Sequence, residues 1–385
     1  MTCSTEMDWV PLLVPDMPAP QLLMPWLERM HATRHYSNFG PLVRELESGF
    51  ASQFALPADG ITTVANATQG LELVLQALEL AAGSHVLLPA FTFVATATAV
   101  ARAGHVPVLA DVDPHSWLLT PEIAHKACRE MRIDAVMPVT TFGMPHDMTA
   151  WARFEADMGI PVVVDAAAAY GSQWLHGAQG TLVFSLHATK SLPAGEGGLV
   201  VSTRPGLAGK VRQLSNFGIN LDASAGLPVG ALASVGTNAK MSEYHAAIGL
   251  ASLDVWEQHA RQRKALHADM VQELSRLADN RLVWQKPGPG GEMMAPTVIC
   301  MQLPDEQARI ALEQQCRQAG ITTRRWYQPL LQDMPVLRRE CRLLHTPHAE
   351  ELSRTLLGLP FFLGMSAAQT QRVRESVRQW VAGAH

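Results

Sequence analysis

Phe184-Ser-Leu-His-Ala-Thr-Lys190, with Gly195-Glu-Gly-Gly198 close behind it, is the stretch on which the reading of the fold turns. Leu182 to Leu186 is a short, continuous apolar run, as expected of a strand buried on both faces, and a lysine stands just beyond its end. Burial lowers the pKa of such an amine toward its neutral, nucleophilic form, able to form a Schiff base with an aldehyde. The same lysine can also snorkel to solvent. The glycines that follow let the backbone pass close to a ligand.

Outward from this stretch, the chain alternates similar runs with helical patterns from about residue 60 to 205. The runs are Ile61 to Val64, Val86 to Leu88, Val106 to Leu109, Ala135 to Val139, Pro161 to Val164 and Leu199 to Val201. Crossover helices fit between them, so the expected architecture is an α/β domain with a mainly parallel central sheet flanked by helices. The clearest helix is Thr68 to Ala82. Leu71, Val74, Leu75 and Leu78 share one face, Glu72, Gln76 and Glu79 take the other, and Gly83 supplies the stop. After about residue 240 the texture changes. A long helix from Ser242 to about Leu277 leads to the loop Lys286-Pro-Gly-Pro-Gly-Gly291, a strand-like Thr297 to Leu303, and a last amphipathic helix from Ser366 to Val381. We expect a large domain over 1–254 and a smaller α+β domain over 255–385.

Composition narrows the function classes. The formal charge is −5, with 17% charged and 48% hydrophobic residues, which argues against a nucleic-acid binder with its basic face. No apolar run approaches membrane-spanning length and the N-terminus has no basic leader, so a cytoplasmic protein is expected. Cys3, Cys128, Cys300, Cys316 and Cys341 form no CxxC pair, and no HExxH or clustered acid and histidine spacing appears. Neither a disulfide framework nor a metal site is indicated.

In open α/β sheets ligands bind at the carboxyl ends of strands, and three polar groups end apolar runs here. Val64-Ala-Asn-Ala-Thr68 places backbone N–H groups and a hydroxyl at a helix N-terminus, a phosphate cradle or an ordinary cap. Val162-Val-Val-Asp165 ends a buried strand with an acid that needs a partner: a protonated ring nitrogen, a metal ion or an internal arginine. Lys190 is the third. A phosphate cradle, an acid for a ring nitrogen and a lysine for an aldehyde are together the three handles of pyridoxal 5′-phosphate (PLP).

With these blocks in place, the chain resembles the DegT/DnrJ/EryC1/StrS sugar aminotransferases, PLP-dependent enzymes of the type I aspartate-aminotransferase fold. The similarity runs from Tyr36-Ser-Asn-Phe-Gly-Pro41 through Asn66-Ala-Thr68, Pro89-Ala-Phe-Thr-Phe93, Asp111-Val-Asp113, Asp165-Ala-Ala and Phe184 to Lys190. It continues through Gly195-Glu-Gly-Gly198 and Gly236-Thr-Asn-Ala-Lys-Met-Ser242 to Leu359-Pro-Phe-Phe and Gly364-Met-Ser366. The resemblance implies that Lys190 carries the cofactor and shuttles a proton, and that Asp165 pairs with the pyridine nitrogen. It implies that Ala67, Thr68 and Ser185 line the phosphate, with Asn238 reaching it from the partner subunit of a homodimer. Phe93 matches the ring-stacking aromatic, although alone it reads as a core residue at a strand end.

Departures from the family pattern bear on the substrate. Ala168 stands where Gln or His is usual, Asn66-Ala-Thr68 replaces a Gly-Thr cradle, and Leu331 stands where His is common. The leading expectation is transfer of an amino group, from L-glutamate by family resemblance, to a keto group on a nucleotide-linked sugar or related cyclic ketone. Glu196, Arg324, Arg325, Trp326 and Tyr327 are candidates near the substrate, guanidinium groups suiting a diphosphate and aromatic rings a sugar or base. A solvated basic turn followed by packing aromatics is the plainer reading of the last four. Sugar 3-dehydration, known in the family with His in place of the lysine, is disfavoured by Lys190. A PLP-binding or sugar-binding regulatory protein without turnover is the alternative, motivated by Ala168.

Overall fold

The computed structural model describes residues 8–224 and 226–383. Cys3 lies outside them. Helices α1 (Pro20–Thr33) and α2 (Pro41–Phe54) precede β1 (Ile61–Val64), α3 (Ala67–Ala77), β2 (His85–Pro89), α4 (Val94–Arg102) and β3 (Val106–Ala110). There follow α5 (Pro121–Glu130), β4 (Ala135–Val136), α6 (Met148–Met158), β5 (Val163–Asp165), β6 (Thr181–Ser185), β7 (Gly198–Ser202) and α7 (Leu207–Ser215). The rest comprises α8 (Glu243–Leu277), β8 (Val283–Trp284), β9 (Ile299–Gln302), α9 (Glu306–Gln318), α10 (Leu337–Glu340), β10 (Arg342–Leu343), α11 (Pro347–Thr355), β11 (Leu356–Leu359) and α12 (Ala367–Ala382).

Two four-stranded ladders, β1-β7-β6-β5 and β10-β3-β2-β4, are joined by parallel bridges from Val136 to Val162 and from Val139 to Asp165. The result is one mixed sheet in which β7 alone runs antiparallel to its neighbours. Because β7 reverses direction between β1 and β6, strands β1, β6 and β5 run parallel and their carboxyl ends share one edge. Their residues are buried throughout, so both faces are covered. That burial is why these strands read as unbroken apolar runs rather than as alternating ones.

Two local expectations are corrected. Strand β4 ends at Val136, not Val139; on the side facing β5, Pro138 has no N–H to donate, and its carbonyl accepts the Asp165 N–H at 2.9 Å while Val139 bridges Asp165. Helix α3 ends at Ala77 rather than Ala82: Glu79 adopts a left-handed conformation (φ 53°), so Gly83 terminates nothing. On the same helix Glu72 is buried rather than solvated, and it pairs with Arg102 Nε at 2.7 Å. By contrast, α8 and α12 begin one residue after Ser242 and Ser366, whose hydroxyls accept from the N3 amides as N-caps.

Helix α8 is 35 residues long and runs through position 254 without a break. Its first turn is tied to α2 by Glu243, whose buried carboxylate accepts from Leu42 N and Val43 N, both at 2.9 Å. Those two amides belong to the unsatisfied first turn of α2, where a negative charge is favoured. Beyond α8, the antiparallel sheet β11-β9-β8 packs with α9 and α12 around Leu274, Ile299, Leu312, Leu357, Val373 and Val377. Not all of the C-terminal third belongs to that cluster. Leu330, Leu331, Leu337 and Leu352 join the core under the large sheet, and β10 adds a parallel strand beside β3.

Candidate active site

The three sequence signals converge. Val64, Asp165 and Ser185 are the last residues of β1, β5 and β6, so the turns that follow them open on the same edge of the sheet. Between β1 and β6 lies the first residue of β7, Gly198, opposite both Val64 and Ser185. A Cβ at Gly198 would fall 2.7 Å from the Asn66 carbonyl carbon and 2.8 Å from the Ala67 nitrogen. Glycine is therefore required for β7 to pass so close beneath the turn into α3.

At that turn Asn66 is an ordinary N-cap, its side chain accepting from Gln69 N at 2.9 Å. This leaves the amides of Ala67 and Thr68, the first two of α3, pointing out of the helix with no intrahelical acceptor. The cap is present, and it leaves two amides of the same turn available to an anion. Ser185 accepts from His187 N at 3.2 Å, so its own hydroxyl hydrogen is free to turn toward an anion. Gly70 lets α3 lie close on the sheet: a Cβ there would meet Val183 Cγ1 at 2.9 Å. These are the features of an anion site at a helix N-terminus.

Asp165 is buried, and its carboxylate accepts two hydrogen bonds, from Thr96 Oγ1 at 2.8 Å and from Ala167 N at 3.2 Å. Thr96 is in turn held by Thr92 Oγ1 at 3.1 Å. Desolvation pushes the Asp165 carboxyl above the ordinary carboxylate range, opposed by these two donors and by the charge of Lys190. Lys190 follows the turn after β6, its amide bonded to His187 O at 2.9 Å. Burial of its amine lowers the pKa from the usual lysine value, and the Asp165 charge opposes that. Each group is thus biased toward its neutral form. A carboxylate has room for about four donors and this one has two from the protein, so a protonated ring nitrogen fits the remaining capacity.

Phe93 lies beyond β2 as the residue before α4, with 53% of its surface exposed. An aromatic face left open at the same sheet edge is not the core residue of the plainer reading, and it suits stacking on a ring. Glu196 is exposed, 3.7 Å from His187 Nε2; His187 Nδ1 in turn accepts from Thr189. Asn238 is exposed and its backbone bridges Asn216.

The C-terminal candidates separate. Arg325 is engaged by Glu313, its Nε 2.9 and 3.0 Å from the two carboxylate oxygens. Arg324 has no carboxylate partner among the described residues; its guanidinium lies 4.8 Å from the centroid of Trp326. Tyr327 packs edge-on to Phe91 and stacks on Phe142, and burial pushes its phenol well above the usual range, with the Asp165 charge adding to the rise. Leu331 is fully buried in the core. The Ala168 carbonyl abuts Gly143, where a Cβ would come within 2.9 Å, and its methyl can make no polar contact. Sequence reasoning missed Thr96 and Thr92. Their i, i+4 spacing across the start of α4 was the available signal, but nothing linear ties them to Asp165.

No metal-competent group of three or more His, Cys, Asp or Glu side chains occurs among the described residues, and no described helix is long and apolar enough to cross a membrane. The chain is a PLP-dependent aminotransferase of the type I fold, with which the order of the large sheet, its single antiparallel strand β7, and the acid and lysine at its carboxyl edge agree. Residues 24–378 match the DegT/DnrJ/EryC1/StrS aminotransferase family, and the chain belongs to that family. Among solved structures it is similar to DesI, determined in the presence of its TDP-sugar product: 30% identity, 97% of this chain and 94% of that one, TM-score 0.84. It is also similar to the aminotransferase TlmJ from Streptoalloteichus hindustanus, with 25% identity, 96% and 100% coverage and TM-score 0.83. A third similar structure is 3-amino-5-hydroxybenzoic acid synthase, with 25% identity, 96% and 100% coverage and TM-score 0.77.

Proposed function

We propose that this enzyme transfers an amino group from L-glutamate to a keto group on a nucleotide-linked sugar or related cyclic ketone. The observation that carries the reading is the shared sheet edge onto which β1, β5 and β6 deliver the cradle, Asp165 and Lys190. When bound, PLP supplies an aldehyde that links to amines and a ring that accepts an electron pair. Ala67 N, Thr68 N and Ser185 Oγ bind the phosphate. Asp165 keeps a proton on the ring nitrogen, and Phe93 covers one ring face. Lys190 is the residue that would hold the cofactor covalently through its amine and, once released, would serve as the base and acid that carries a proton between the donor α-carbon and the cofactor. Burial lowers its pKa, which favours the neutral amine over the ammonium.

The acceptor side rests on Arg324, a guanidinium without a carboxylate partner among the described residues, and on the similarity to DesI, whose product is a TDP-sugar. The reading includes a homodimer in which Asn238 reaches the partner's cofactor phosphate. Between Asn216 and Asn238 the chain makes an excursion whose Phe217, Leu221, Val229, Leu232 and Val235 are exposed, an apolar surface that suits burial against a second copy. We also retain 1–254 and 255–385 as the large and small domains, joined through α8.

Borohydride reduction of the holoenzyme should leave the cofactor covalently on Lys190, located by peptide mapping. Addition of L-glutamate should release 2-oxoglutarate in a single turnover, and nucleotide-linked keto sugars should then restore the starting visible spectrum. Ala168 favours the second reading, a binding protein without turnover. A half-reaction with glutamate would exclude it.

A further inference from the structure

Ala239 O accepts the Ala65 N–H at 2.7 Å, which fixes the backbone at 238–240. Ala239 is buried, while Asn238 on one side is exposed and Lys240 on the other is half-buried. Lys240 Nζ lies 2.6 Å from Asn238 Oδ1 and 4.7 Å from the centroid of the Phe217 ring. The described lysine ion pairs involve Lys210 and Lys264, so Lys240 holds its charge over an aromatic face without a carboxylate. An ammonium group only donates, and a carboxamide accepts only through its oxygen. The orientation of Asn238 is therefore forced: Oδ1 faces Lys240 and the N–H2 end faces away.

We propose that Lys240 is a positioning residue for the cofactor phosphate, holding the Asn238 carboxamide with its two N–H donors presented to the anion. A phosphate offers only acceptors. A free carboxamide would present its oxygen about as readily as its nitrogen, and the oxygen repels the anion. Fixing the orientation before binding removes that cost. The proposal rests on Asn238 meeting the cofactor phosphate bound by the partner subunit, as inferred above.

The test measures affinity of the apo form of the full chain for pyridoxamine 5′-phosphate, which binds without a covalent link to Lys190, and for pyridoxamine, which lacks the phosphate. Wild type, Asn238→Ala, Lys240→Met, Lys240→Arg and the Asn238→Ala/Lys240→Met double variant are compared, with oligomeric state and melting temperature of each recorded. Lys240→Met should bind pyridoxamine 5′-phosphate about 10-fold more weakly and pyridoxamine unchanged. Lys240→Arg should stay within about 3-fold of wild type. The double variant should be no more than about 3-fold worse than the poorer single variant, because Lys240 acts through Asn238. Losses that multiply in the double variant would show an independent charge and overturn the positioning role. Normal binding by Lys240→Met with weak binding by Asn238→Ala would overturn it while leaving the phosphate contact intact. Normal binding by both would remove Asn238 from the phosphate altogether. Should Lys240→Met misassemble, failure of Lys240→Arg to bind like wild type would by itself reject the proposal.

Discussion

Gly198 and Ala67 are packed so closely that a single methyl group on the first would stand 2.8 Å from the backbone nitrogen of the second. The neighbour is main chain, with no flexible side-chain end to swing away, so Gly198→Ala must displace either β7 or the cradle. We expect apo stability to fall by roughly 1–3 kcal/mol, as for other overpacked sites, and PLP affinity to fall at least about 10-fold. Gly209 in α7 is the matched control. Nothing lies within 4 Å of a Cβ there, and Gly209→Ala should stabilise by roughly 0.5–1 kcal/mol without altering PLP binding. Urea titrations and cofactor fluorescence quenching measure both quantities.

Asp165 and Lys190 are each held against their charge in the apoenzyme, so their removal should separate function from stability. Asp165→Asn keeps the shape and loses the ring-nitrogen partner; turnover should fall by about 10²-fold or more, about 3 kcal/mol of barrier. Lys190→Met should abolish turnover, and full activity in that variant would end the mechanism proposed here. Burial raises the folded-state pKa of Asp165, so the folded state binds its proton more tightly than the unfolded state does. That contribution is present below the unfolded pKa, about 4, and is lost as pH rises through the folded value. Apo Asp165→Asn should therefore gain stability over wild type as pH increases from 4, in denaturant titrations across that range.

Much of this site was legible in sequence because a buried strand announces itself by an unbroken apolar run, and the residue that ends it sits at the ligand edge. Asp165, Lys190 and the turn into α3 were found in that way. Their common edge was not implied by any one of them: it follows from β7 reversing between β1 and β6, which brings Val64 and Ser185 to either side of Gly198. Glu72 was misread because amphipathic spacing says which face is polar, not whether an arginine 30 residues away will cover it. Thr96 escaped for the same reason, since its partner Asp165 is 69 residues on. Helix starts at Ser242 and Ser366 were readable because a cap is local, whereas the end of α3 depended on Glu79 taking a left-handed conformation that its residue type does not favour.

His146 offers a pH effect at lower values. Its ring is buried, with Nε2 2.9 Å from Val139 O and Nδ1 accepting from Trp151 Nε1 at 3.3 Å, an arrangement for the neutral tautomer protonated at Nε2. Burial depresses its pKa from 6.5 to about 4, the bond to Val139 O opposing only in part. The unfolded state therefore takes up the proton first, and the stabilisation present above pH 6.5 is lost as pH falls toward 4. The full span is about 3 kcal/mol at most. His146→Gln should flatten the fall in unfolding free energy between pH 6.5 and 4 relative to wild type, although it should be less stable at pH 7. An unchanged slope would show that His146 is not the group titrating.

Arg324 and Arg325 are adjacent in sequence and should differ in effect, because of the two only Arg325 is paired with a carboxylate among the described residues. Arg324 is held by its backbone, which exchanges hydrogen bonds with Gly358 at 3.0 and 2.8 Å, while its guanidinium rests over Trp326. The pairing needs glycine at 358, since a Cβ there would meet Trp326 Nε1 at 2.7 Å. A guanidinium so placed keeps its fork of donors for an anionic acceptor, whereas that of Arg325 is committed to Glu313. Arg324→Gln should raise KM for a nucleotide-linked acceptor about 10-fold, about 1.4 kcal/mol, with kcat within about 3-fold of wild type. Arg325→Gln should leave KM within about 2-fold and cost at most about 1 kcal/mol of stability, as expected for an exposed pair. Steady-state kinetics with phosphorylated and unphosphorylated acceptors distinguish the cases: the Arg324 effect must vanish when the acceptor carries no phosphate. Equal losses with both acceptors would place Arg324 in packing against Trp326 instead.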